Sequence, residues 1–119
     1  YRLGIDQALV HDSLAFALFA RGELEAAAAE HERGTELARR LQAFAPEDVD
    51  LAVALLSNLA GRAAMLGNLG RAELSQSLYA ETFDELGGWL ERQPQSVRLR
   101  QLMADLGNNY GVGLLTGSD

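Results

Sequence analysis

Two histidines, five glutamates crowded between Glu23 and Glu36, and a glycine-rich run near the end of the chain are the residues best suited to chemistry. Glu30-His31-Glu32 sets an imidazole between two carboxylates, the material of a proton-transfer or metal site. A metalloprotease helix, however, needs a second histidine four residues away on the same face, and a metal needs three or four converging ligands. His11 and His31 fall on separate helical patterns, so each reads as a partly buried, hydrogen-bonded structural residue. Glu23, Glu25, Glu30, Glu32 and Glu36 are interspersed with alanines, the pattern of a solvated face rather than of carboxylates whose pKa values burial has split. Gly107-Asn108-Asn109-Tyr110-Gly111-Val112-Gly113 has the glycine content of a phosphate loop without the preceding strand or the lysine. Close helix packing accounts for it better, because glycine inside a helix costs about 1 kcal/mol against alanine. Gly87-Gly88-Trp89 implies in the same way a neighbouring helix that crosses there, with Trp89 filling the space beside it. Cysteine is absent, which removes thiol nucleophiles, thiolate metal sites and disulfides. No catalytic, cofactor or metal site is expected, and the chain reads as a non-enzyme.

Five helical patterns must carry these residues. The first runs from about residue 3 to 20, with Leu3, Val10, Leu14, Ala17 and Leu18 at helical spacing. Arg21-Gly22 ends it, since glycine takes the left-handed turn after a helix most cheaply. The second spans about 23–44, with Leu24, Ala27, His31, Leu37, Leu41 and Phe44 near one stripe. Pro46 opens the third, because proline fits the first turn of a helix and not its interior. Leu51, Leu55, Leu59, Ala63 and Leu66 then form a ladder that ends at Leu69-Gly70. The fourth, about 71–92, turns Leu78, Phe83, Leu86, Trp89 and Leu90 inward, and Pro94 closes it. The fifth covers about 96–115.

These patterns repeat. Ala15 to Gly22 returns as Ala63 to Gly70, 48 residues on, with the alanine, the leucine and the final glycine in register. Leu55, Leu56, Leu59 and Gly70 return at Leu102, Met103, Leu106 and Gly117, a step of 47, and Glu36-Leu37 matches Glu85-Leu86 at 49. The units run over about 3–46, 47–94 and, in part, 95–119, as one domain over 1–119. Each is a helix, a glycine turn, a second helix and a proline turn. A fixed period of this size marks stacked units that cannot bury their apolar faces alone.

The interhelical glycines Gly22, Gly70 and Gly117, the small Ala15, Ala63 and Ala27, the prolines Pro46 and Pro94, Asn58-Leu59, and the run from Leu69 to Leu74 resemble the tetratricopeptide repeat, in its longer bacterial and kinesin-light-chain-like form. The resemblance implies an all-α, right-handed helical-hairpin solenoid of about five antiparallel helices. It also implies a scaffold that docks a peptide or helix of a partner protein in an inner groove. Carried across, the groove positions are Ser57, Ala60, Ala64, Gly67 and Asn68, with Asn58 and Arg62 beside them, then Ala104, Gly107, Asn108, Asn109 and Gly111. Asparagine both donates to and accepts from a peptide group, and arginine pairs with a carboxylate. The alternative function is a sensory or regulatory domain whose groove takes a small ligand and controls an attached effector.

Composition narrows the partners. With 17 acidic against 10 basic residues, the chain is repelled by a phosphate backbone, so nucleic acid is not expected. No charge-free apolar run approaches the roughly 18 residues of a membrane span. A soluble, cytoplasmic protein is the expectation, and arginine without lysine beside abundant alanine and leucine suggests a bacterial source. The chain opens at Tyr1 and stops within the third unit, which reads as a segment of a longer protein with open ends prone to self-association.

Overall fold

The computed structural model of the chain describes the backbone of residues 2–117 and the side chains of residues 3–107. It contains the helices α1 (Arg2–Ala20), α2 (Leu24–Gln42), α3 (Val49–Asn68), α4 (Ala72–Arg92) and α5 (Val97–Gly117). Their order and bounds follow the sequence patterns to within a few residues, and no strand occurs among the described residues.

The joints repeat atom for atom at a step of 48. Gly22 and Gly70 take φ of +79° and +80°, the left-handed region that glycine enters without steric cost. Around them Glu23 N–H donates to Leu18 O at 2.9 Å, and Arg71 N–H to Leu66 O at 2.9 Å. The other turn is stopped differently from the sequence expectation. Helix α3 begins after Pro46 rather than at it, because Asp48 is the cap: its Oδ1 accepts from Leu51 N–H at 3.0 Å. Ser96 Oγ accepts from Leu99 N–H at 3.2 Å in the next unit. Each cap satisfies an amide that the first turn of a helix leaves open.

Packing repeats with the joints. Ala27, His31, Gly34 and Ala38 are buried on α2; 48 residues on, Ser75, Tyr79, Thr82 and Leu86 are buried on α4. Among the described residues α3 alone touches all four other helices, and α1, α3 and α5 meet in succession. This explains why α3 is apolar almost all round: Leu51, Leu55, Leu59, Ala63 and Leu66 are buried together with Ala52, Ala54, Leu56 and Met65.

Two expectations about the core are corrected. The α1 stripe of Leu3, Val10, Leu14 and Ala17 lies outside the core; Ile5, Ala8 and Ala15 are the buried residues, and the outer stripe is exposed. Helix α1 is apolar on two opposite sides, so periodicity alone could not choose between them. Phe44 is likewise out in solvent, in the turn after α2. The glycines of α4 also differ from expectation: a side chain added at Gly87 or Gly88 would meet nothing within 4 Å, so among the described residues no helix packs against them. By length and composition alone, the segment from Leu3 to Ala20 and helix α3 could each cross a membrane, a closer approach to a span than a count of charge-free runs suggests. Most of α3 is instead enclosed by protein, whereas little of α1 is.

Candidate partner-binding face

The groove residues inferred from the repeat do not gather on one surface. Asn58 is fully buried between α1, α2 and α3, and Ala60 is buried too. Both leave the list of groove positions. Arg62 is half-buried on the side of α3 that faces α2, within 4.0 Å of Glu32. Ser57 is half-buried and Asn68 exposed, and Asn68 Nδ2 donates to Ala64 O in its own helix at 2.8 Å. Ala104 and Gly107 are exposed, and a side chain added at Gly107 would meet nothing within 4 Å, which corrects the close-packing account of that glycine. Asn108, Asn109, Gly111 and Gly113 lie outside the described side chains.

Asn58 belongs instead to a polar seam across the first three helices. Its Nδ2 donates to Ala8 O at 3.1 Å and Ala54 O at 2.9 Å. Its Oδ1 lies 3.3 Å from His31 Nδ1, which is also 3.2 Å from Asp12 Oδ1. Both neighbours are acceptors, so the ring carries its proton on Nδ1 and donates to them. Two helical glycines make room for this pair. A Cβ at Gly34 would stand 2.6 Å from Asn58 Cγ, and one at Gly61 would stand 2.7 Å from His31 Nδ1. Beside the seam, His11 Nδ1 donates to Glu30 Oε2 at 2.8 Å, and Arg33 also holds Glu30. The His11 bond is the main reason the Glu30 carboxyl sits below its ordinary range; burial opposes the shift and the Arg33 charge assists it. Sequence reasoning gave both histidines a structural place but missed Asp12, Gly34 and Gly61. The unexplained glycines in the interiors of good helix formers were the available signal.

This seam is saturated rather than poised for chemistry. No buried side-chain nitrogen or oxygen among the described residues lacks a partner. No group of three His, Asp or Glu side chains among them could hold a metal ion. Elsewhere the polar groups bind helices together at the surface. Arg39 of α2 reaches both Glu81 and Glu85 of α4, and Glu85 in particular stabilises its charged form. Arg98 of α5 pairs with Asp50 of α3, and the Arg92 guanidinium lies 4.6 Å from the Trp89 ring centroid.

Among the described residues the surface has shallow depressions, including two near charged side chains. One, of about 520 Å³, lies at the α4–α5 turn between Val49, Arg92 and Arg98. The other, of about 270 Å³, is lined by Glu25, Glu32, Arg62 and Arg71 with Leu66 and Leu69. A third surface follows from the step of 48, which carries Leu9, Phe16, Phe19 and Ala20 of α1 onto Ser57, Ala64, Gly67 and Asn68 of α3. Phe16 is 72% exposed and Phe19 39% exposed, and the matching α3 positions are small or polar, a side chain added at Gly67 being directed at Ser75 of α4. Comparison of the chain with protein-family models, with curated proteins and with solved structures finds no match.

Proposed function

We propose that this chain is a non-catalytic helical-repeat module, tetratricopeptide-like in the stacking of its hairpins, that docks a peptide or helix of a partner protein. The observation that carries the reading is the exposed pair Phe16 and Phe19 on α1, at positions where the next unit has Ala64 and Gly67. An aromatic anchor beside a small-residue floor suits an apolar side chain of an incoming segment. Ser57 and Asn68 supply hydrogen bonds to its main chain. Arg62 and Asn58 have no part in this docking, since one is paired toward α2 and the other is buried.

Selection of a displayed library of random peptides on the chain tests the reading. Peptides enriched on the wild type should bind the Phe16→Ala variant about tenfold or more weakly, and the Phe44→Ala variant equally well. Phe44 is the control because it is 85% exposed on a turn remote from this face. Enriched peptides that bind wild type and Phe16→Ala alike would sink the proposal.

A further inference from the structure

Among the described residues, the buried side chains of α5 are Leu99, Leu102 and Leu106, and α5 touches only α3 and α4. They therefore face the preceding hairpin. Stepping back 48 residues, the register that the Asp48 and Ser96 caps give α5 in place of the 47 read from the sequence, gives Leu51, Ala54 and Asn58, all buried on α3, where Asn58 meets α1 and α2 and Met65 packs with Ala15 and Ala27. The same interface is thus built twice within the molecule. A further 48 residues back lie Leu3, Asp6 and Val10, while Leu14 and Ala17 stand for Arg62 and Met65. Leu3 is 70%, Val10 62% and Leu14 45% exposed. Helix α1 carries the matching positions a third time, exposed among the described residues.

Three observations indicate what covers it. Positions 3, 7, 10, 14 and 17 alternate steps of four and three, the seam of a helix that pairs with another helix, and Asp6 and Gln7 are the polar residues within it. The segment Tyr1–Arg21 holds Arg2 and Arg21 against Asp6 and Asp12, a formal charge of zero in a chain of −7, so repulsion between like copies is weakest there. Among the described residues, the α5 positions that match the inward Ile5 and Ala8 carry no large apolar side chain. Ile5 and Ala8, which α1 turns inward, correspond to Gln101 and Ala104 on α5, both exposed, with Gln101 Nε2 donating to Asp105 at 3.0 Å. We infer that the chain is a homodimer in which the α1 stripes of two copies pair face to face about a two-fold axis.

Sedimentation equilibrium up to about 300 μM tests this on the full chain. The wild type should approach twice its 12.9 kDa, and Val10→Glu/Leu14→Glu should stay monomeric with unchanged helix content. If the glutamates lower helicity, Val10→Ser/Leu14→Ser replaces them with the same expected mass. Because the chain has no cysteine, Val10→Cys should form an intermolecular disulfide readily, whereas Phe44→Cys should not. A wild type that stays monomeric overturns the inference, as does a dimer that survives both stripe variants. Mass that grows beyond two copies would indicate head-to-tail stacking, and co-flotation of a monomeric chain with phosphatidylcholine vesicles would indicate a lipid-facing stripe; either result also overturns it. The inference is independent of peptide docking: Phe16→Ala should remain dimeric.

Discussion

Replacing Gly61 by alanine ought to stabilise an ordinary helix by about 1 kcal/mol. Here it should do the reverse. The new Cβ would stand 2.7 Å from His31 Nδ1, and that ring is 4% exposed and tied to Asp12 and Asn58. Overpacking of a filled core costs about 1–3 kcal/mol. Displacing the ring weakens two hydrogen bonds worth about 0.5–1.5 kcal/mol each. Set against the propensity gain, the net loss is about 1–5 kcal/mol, or roughly 4–20 °C in Tm for a chain of this size. Gly87→Ala is the internal reference: its Cβ meets nothing within 4 Å, so it should gain up to about 1 kcal/mol. Urea unfolding followed by circular dichroism measures both. A second arm isolates the cause. In a His31→Ala background the obstacle is gone, and Gly61→Ala should become neutral or stabilising, a coupling of about 2 kcal/mol or more. The reasoning fails if Gly61→Ala matches or exceeds wild-type stability, or if its cost persists without the His31 ring.

Three further outcomes follow from the same geometry. The Glu30 carboxyl is held below its ordinary value of 4.5, chiefly by His11, so its contribution is present above that value and is lost as pH falls through the lower folded value. Between about pH 5 and pH 3 the stability of Glu30→Gln should therefore fall less steeply than that of the wild type in urea titrations at each pH. Asp48→Ala and Ser96→Ala each remove a side-chain cap and should each cost about 1 kcal/mol in the same assay. A double-mutant cycle on Arg39 and Glu85, partly exposed partners between α2 and α4, should give less than about 1 kcal/mol and shrink further in about 0.5 M salt.

Helix order, both glycine turns and the α3 core ladder were legible because each rests on local chemistry. A glycine in the left-handed region and a run of leucines four apart carry their meaning within one or two turns of chain. The α1 face was not legible. Leu3, Val10 and Leu14 on one side compete with Ile5, Ala8 and Ala15 on the other, and only the position of the neighbouring helices separates them. Asn58 misled as well. The resemblance put it beside a groove, where its amide would meet a peptide group, whereas His31 and the Ala8 carbonyl satisfy it inside. Gly87 and Gly88 fall where a side chain would meet open space, whereas Gly34 and Gly61 fall where it would strike a buried one. Composition does not distinguish the two cases.

Because, among the described residues, every other helix rests on α3, while α1 leans only on α2 and α3 and α5 only on α3 and α4, the native state should open by peeling from its two ends. Amide exchange would then grade along the stack, slowest in the middle of α3 and faster in α1 and α5. Any second copy or partner held against α1 would slow exchange there, so protection of that helix would report occupancy of its outer face without a label or a change in fold.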